Sequence, residues 1–193
     1  MIEIKKLDPS LIVDFIDFIE GMDYQHAPHW KTCYCHYYHN NMPIEDWIKR
    51  NGVDNKIAST QAIYDGQMTG FLIYNDNRCM GWLNANDSKY YPRLKEILTP
   101  YIKGDKIAVT ICFIIHPDFR GQGIARKLLA HAVSYFRKQG FDGMLALPTN
   151  VWSNSELRYR GTTHMYLEND YVCLEQTENF SIMYKSFKKE VSA

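Results

Sequence analysis

Two short stretches of the chain carry residue types and spacings suited to chemistry. The first is Ile115-His116-Pro117-Asp118-Phe119-Arg120-Gly121-Gln122-Gly123-Ile124-Ala125-Arg126. An apolar run ends there, Pro117 forces a turn, and two glycines lead directly into an amphipathic run. The first N–H groups of a helix have no internal partner and point outward with the positive end of its dipole. Gly121 and Gly123 let that backbone approach a phosphate closely, and Arg120 and Arg126 add charge. The predicted ligand is a diphosphate. Arg126 stands where a G-x-G-x-x-G fingerprint requires its third glycine, and no G-x-x-x-x-G-K-[ST] occurs, so a Rossmann turn and a P-loop are excluded.

The second stretch, Tyr24 to His39, holds four of the seven histidines and two of the five cysteines among Trp30, Tyr34, Tyr37 and Tyr38. His26, His29, Cys33 and Cys35 are of the types that bind zinc. The C-x-C spacing is poor for tetrahedral closure and no second knuckle follows, so no metal is expected. Plain core packing is the bland alternative for these residues.

The Gly-rich string Arg120-Gly121-Gln122-Gly123-Ile124-Ala125 resembles the acetyl-CoA signature [QR]-x-x-G-x-[GA] of the GNAT superfamily of N-acetyltransferases. The resemblance extends through the whole of IIHPDFRGQGIARKLLAHA and through the order of elements. It implies that Phe113, Ile114 and Ile115 pair with a pantetheine arm through their backbone. Gly121, Gln122, Gly123, Ile124, Ala125 and Arg126 would hold the pyrophosphate, with Asn150 as a looser CoA contact. Met165-Tyr166-Leu167-Glu168-Asn169-Asp170-Tyr171 occupies the place of a second signature, with Asp170-Tyr171 where Gly-aromatic is usual. Tyr166 is then the general acid for the departing thiolate, since a phenol with a pKa of about 10 matches that leaving group. The Ile115 N–H would stabilise the oxyanion. The apolar strand has no Glu to deprotonate an amine, which leaves His116 as candidate base, a solvated turn residue being the bland reading. In such enzymes the segment between the first helices builds the acceptor pocket. Trp30, Tyr34, Cys35, His36, Tyr38 and, from the Trp82–Asp87 turn, Asn84 would line it, and Trp30-Lys31-Thr32-Cys33-Tyr34-Cys35 resembles a W-x-x-C-x-C segment of some bacterial members.

These residues need elements to hold them. Ile107–Ile115 is apolar at nearly every position, as in a strand covered on both faces. Ile124–Lys138 is an amphipathic helix closed near Gly140. Before them come a strand at Ile2–Ile4 and a helix from Asp8-Pro9-Ser10 to Gly21. A short helix at Pro43–Asn51, stopped by Gly52, follows. A hairpin at Asp65-Gly66 then joins Ala62–Tyr64 to Met68–Tyr74, and a turn at Asn75-Asp76-Asn77 leads to Met80–Leu83. Arg93–Tyr101 reads as a helix that Pro100 interrupts. After the long helix come a strand at Gly143–Leu147, a helix at about 162–168, and a closing strand pair, Tyr171–Leu174 and Phe180–Tyr184. The expected fold class is α/β (α+β): a mixed, mostly antiparallel sheet flanked by helices, with a helical and loop insert after the first helix.

With 193 residues, 46% hydrophobic, the chain is expected to be one domain. Lys+Arg and Asp+Glu both number 22, and that balance lacks the basic excess of a nucleic-acid or membrane-surface binder. No apolar run reaches membrane-spanning length, and five irregularly spaced cysteines suit reduced thiols, hence a cytoplasmic expectation. The expected activity is transfer of an acetyl group from acetyl-CoA to a primary amine, more readily that of a small molecule, by a monomer or homodimer. The competing readings are a non-catalytic acyl-CoA-binding module and a zinc-dependent interaction domain.

Overall fold

The computed structural model describes residues 1–25, 27–151 and 155–188. Its frame is a seven-stranded sheet in the order β1-β2-β3-β4-β5-β7-β6. The strands are β1 (Ile2–Lys6), β2 (Gly70–Asn75), β3 (Arg78–Asp87), β4 (Ile107–Ile115), β5 (Gly143–Ala146), β6 (Val172–Gln176) and β7 (Ser181–Ser186). Every neighbouring pair is antiparallel except β4 with β5. Among the described residues no helix is long and apolar enough to cross a membrane. The mixed, mostly antiparallel sheet is the expected one.

The helices are α1 (Ile12–Glu20), α2 (Ile44–Lys49), α3 (Gly52–Tyr64), α4 (Lys95–Leu98), α5 (Ile124–Lys138) and α6 (Thr163–Leu167). The two faces of the sheet bury different partners. On one face α5 lays Ile124, Leu128, Leu129, Ala132, Val133 and Phe136 against Phe71, Leu83, Ala108, Phe113 and Met144, with Met165 and Tyr166 of α6 in the same cluster. Each of the larger side chains, Val, Leu, Ile, Phe or Met, contributes roughly 1.5–3 kcal/mol on full burial. On the other face Leu72 and Trp82 meet Phe15 and Ile19 of α1, while Val109, Ile111 and Leu145 meet Tyr91, Leu94 and Leu98.

Several expected boundaries shift. Gly52 does not stop a helix; it begins α3, where Asn51 Oδ1 accepts from the Asp54 N–H at 2.8 Å as the N-cap. Ala62–Tyr64 is the last turn of α3 and not a strand, so Asp65-Gly66 ends a helix instead of turning a hairpin, and β2 begins at Gly70. The Trp82–Asp87 segment is strand throughout, with Trp82, Asn84 and Asn86 all buried. The single helix expected at Arg93–Tyr101 is a chain of short turns, 3₁₀ at Pro92–Leu94, α4, then 3₁₀ at Thr99–Tyr101, because prolines stand at both ends.

The insert between α1 and α3 contains 3₁₀ turns at Pro28–Thr32 and Tyr37–His39 and then α2. Its sharpest bend lies at Tyr34 and Cys35, non-glycine residues with φ of 45° and 55°. Consecutive left-handed residues of this kind are strained, and neighbouring elements hold them there.

Candidate functional site

β4 is the axis of the site. Its pairing with β5 covers Ile107–Thr110 only, while its pairing with β3 continues to Ile115. The β3–β4 register shifts between Asn84 and Ala85, opposite Cys112 and Thr110, so Ile111 is the extra residue of a β-bulge. Beyond the bulge β4 runs on without β5. The His116 N–H donates to Met80 O, back toward β3. Successive residues of a strand send their backbone groups to opposite sides. Phe113 and Ile115 therefore turn theirs to the edge that β5 has left, whereas Ile114 turns its own to β3. Arg120 Nε donates to Ile115 O at 3.1 Å from that open side.

At one end of the opening lies the turn at Arg120–Arg126. Gly121 and Gly123 have φ of +74° and +75°, and a Cβ at either would meet nothing within 4 Å. The first backbone bond of α5 runs from the Lys127 N–H to Gly123 O at 3.0 Å. The N–H groups of residues 121–126 donate to no other described residue. Six unpartnered N–H groups at the start of a 15-residue helix make an anion nest. Arg126 is tied to Glu168 at 2.7 Å, and Gln122 Nε2 donates to Asp118 O at 2.8 Å.

At the fork of β4 and β5 stands Tyr166, fully buried on α6. Its hydroxyl donates to Arg160 O at 3.0 Å and lies 3.0 Å from Thr110 Oγ1, at the last residue of β4 that pairs with β5. Burial holds this phenol well above its ordinary pKa, so it is protonated at neutral pH. His116 lies elsewhere. Its Nδ1 accepts from the Asp118 N–H at 3.3 Å and its Nε2 faces Arg78 at 3.5 Å, so the imidazole caps the turn at Pro117–Phe119. Asn150 is engaged with the loop before β7, its Nδ2 donating to Thr177 O and its Oδ1 accepting from Ser181 Oγ.

On the face away from α5, the insert covers a cavity of about 500 Å³ that reaches Cys112 and Ile114 of β4. Of the predicted pocket residues, Trp30, Tyr34, Cys35 and Tyr38 line it. Trp30 stacks edge-on against Tyr159, and Tyr37 against Trp47, both with centroids 5.2 Å apart. His36 lines a second, smaller hollow beside His39 and Tyr90. Asn84 lines neither: it is fully buried, its Nδ2 donating to Cys35 O and its Oδ1 accepting from Tyr91 Oη. Because His39 Nδ1 meets the Tyr90 carbonyl at 3.0 Å, that nitrogen carries the proton and Nε2 accepts from Asn84 Nδ2 at 3.0 Å. Asn84 therefore positions the insert. Sequence reasoning missed Arg50, Trp47, Cys112, Tyr159 and Arg160, which also line the cavity. No local spacing could have joined them, since they come from three separated segments.

Cys33 and Cys35 are unsuited to metal or nucleophilic work. Burial pushes Cys33 up to about 12. The hydrogen bond to Cys112 Sγ at 3.9 Å, with burial, raises Cys35 well above the usual thiol range. No group of three or more His, Cys, Asp or Glu among the described residues is placed to hold a metal ion, and His26 lies outside the described residues.

The mixed sheet thus opens at its parallel pair, with an anion nest at one end of the opening and a cavity under the other face. The model of the acetyltransferase (GNAT) family matches residues 24–159, and the chain belongs to that family. No curated protein matches it in sequence. Solved structures match its fold at low identity. PaiA N-acetyltransferase from Thermoplasma acidophilum, in complex with coenzyme A, is 17% identical with a TM-score of 0.54, covering 96% of this chain and 99% of its own. YncA from Salmonella typhimurium, with its cofactor acetyl-CoA, is 13% identical with a TM-score of 0.57, covering 100% and 98%. The polyamine N-acetyltransferase of Drosophila melanogaster, which forms N-acetylagmatine, is 12% identical with a TM-score of 0.55, covering 95% and 98%.

Proposed function

We propose that this chain is a single-domain N-acetyltransferase that moves an acetyl group from acetyl-CoA to the primary amine of a small molecule, by direct attack in a ternary complex. The observation that carries this reading is the continuity of the opening beside β4. It begins at the unpartnered N–H groups of residues 121–126 and ends at the fork beneath Tyr166, with the cavity on the far side of the same strand. The nest suits a diphosphate, and the two left-handed glycines leave the space a phosphate needs. The backbone of Phe113 and Ile115 on the side that β5 has left suits the amides of a pantetheine arm, with Ile115 N–H also available to a developing oxyanion. Acetyl-CoA supplies the activated acyl group. The free amine forms the C–N bond as the C–S bond breaks. Tyr166 holds a proton at the fork and delivers it to the departing sulfur. The proton shed by the nitrogen passes to solvent, from which the phenolate is reprotonated. The walls of the cavity hold the amine against β4 and keep water away. With Cys33 and Cys35 held protonated, neither thiol favours an acyl-cysteine route over direct attack.

A thiol-release assay with purified protein, acetyl-CoA and a panel of amines tests the reading, with calorimetry for CoA binding. Tyr166→Phe is expected to lower kcat about 100-fold while CoA still binds. Unchanged turnover removes Tyr166 as the acid. Binding of CoA without turnover of any amine would instead favour a non-catalytic module.

A further inference from the structure

The cavity contains two guanidinium groups, Arg50 and Arg160, and among the described residues no Asp or Glu contributes to its wall. Neither arginine forms an ion pair among the described residues. Arg160 is part-buried. Its Nε donates to Tyr159 Oη at 3.1 Å and a terminal nitrogen to Tyr38 Oη at 2.9 Å. Its guanidinium carbon lies 5.6 Å from the Tyr159 ring centroid and 6.0 Å from those of Tyr38 and Phe180. Phenols and ring faces orient a cation, but they do not neutralise it. Burial raises the pKa of both Tyr38 and Tyr159, so neither hydroxyl supplies a negative charge.

Arg50 is unsatisfied in a different way. One terminal nitrogen donates to Asp54 O at 2.9 Å, while its Nε is buried with no acceptor. Glu20, which approaches the insert at Tyr34, is taken up by Tyr34 and Lys56, each at 2.7 Å, and does not line the cavity. A cation withdrawn from water without a counter-charge is costly, and a pocket with two of them is built for an anion. The planar guanidinium fork matches a carboxylate in geometry.

We propose that Arg160, assisted by Arg50, receives a carboxylate of the acceptor, so that the substrate is a small amine carrying its own carboxylate, of the amino-acid class. This rests on the acetyltransferase reading. Trp30, Tyr37, Trp47 and Ile48 make the remaining wall apolar and aromatic, which selects an amino acid with an aromatic or large apolar side chain. A polyamine meets the wrong charge here.

Matched amines that differ only at the carboxylate test this: phenylalanine, its amide and phenethylamine, then tryptophan and tryptamine, with spermidine as the cationic member. Thiol release is read from the wild-type protein with saturating acetyl-CoA, and calorimetry on the CoA-saturated protein reads binding of the same set. The carboxylate members are expected to exceed their partners at least tenfold in kcat/KM or in affinity. Arg160→Gln should erase that preference by raising KM for the carboxylate amines at least tenfold, with a smaller change in CoA affinity, and Arg160→Lys should restore part of it. The wild-type comparison decides the matter even if the Gln variant fails to fold. Equal or better use of the amide, the decarboxylated amines or spermidine overturns the proposal, as does the absence of any preference in both assays. Failure of the underlying reading looks different: CoA does not bind and no amine releases thiol.

Discussion

Gly121 and Gly123 adopt left-handed φ with empty space where a Cβ would point, so two separate effects of substitution come apart at this turn. An alanine at Gly123 is strained by about 1–2 kcal/mol in that conformation, yet it meets no protein atom within 4 Å. The fold should therefore survive with a small shift in its urea midpoint. The methyl instead enters the space above the N–H nest. Gly123→Ala is expected to weaken CoA binding at least tenfold by calorimetry, and unaltered affinity would remove the nest as the diphosphate site. Chemistry of this kind is legible in sequence because it depends on backbone, and only glycine and proline change what backbone can do. Arg50 and Arg160 were not legible. A guanidinium on a linear chain is ordinary, and its meaning comes from the lack of a carboxylate among the described residues of the cavity wall.

Among the elements, α3 and the insert explain each other. The buried positions of α3 are Asn55, Ser59, Ala62 and Ile63, at helical spacing, but two of them are polar. Asn55 Nδ2 donates to Thr32 O at 2.8 Å and Ser59 Oγ to Tyr34 O at 2.9 Å, so these side chains pin the insert. The same work that fixes the cavity wall erased the apolar stripe that would have marked a helix, and Ala62–Tyr64 consequently read as strand. β4 and α5 were legible to the residue because, apart from Thr110, their burial is apolar and their periods are clean. Asn84 belongs with the hidden class: an asparagine in the middle of β3 looks like a turn until Cys35, His39 and Tyr91 are seen around it. Asn84→Ala leaves those three partners unsatisfied and should destabilise the protein by about 2–4 kcal/mol, measured by urea denaturation. It should also raise KM for the amine more than KM for acetyl-CoA, because the strained Tyr34–Cys35 bend forms the acceptor wall and not the nest. Equal effects on both constants would make Asn84 a general core residue.

The whole molecule separates its tasks by sheet face, with α5 and the nest on one side and the insert with its cavity on the other, and this gives its acid response a predictable shape. Burial lowers both His36 and His39 from about 6.5 to about 4, with Arg50 adding repulsion on His36. In the unfolded chain both imidazoles take a proton near pH 6.5, whereas the folded protein refuses it until about pH 4. Between those limits the unfolded state binds more protons, so stability rises with pH and is lost as pH falls from 6.5 toward 4. The His39 share is about 3 kcal/mol, and it levels off below pH 4. Carboxylates held low by hydrogen-bonded partners, such as Glu20 by Lys56 and Tyr34 and Glu168 by Arg126, act in a lower window, since they lose stability only as pH falls below their ordinary values. Two acid limbs are therefore expected, and the upper one belongs to the insert. Urea midpoints measured from pH 7.5 to pH 3.5 should fall first between 6.5 and 4, and His39→Gln should flatten that upper limb without removing the lower. A wild-type profile that stays level down to pH 4.5 would mean that water reaches His39, and with it the interface between the insert and the sheet.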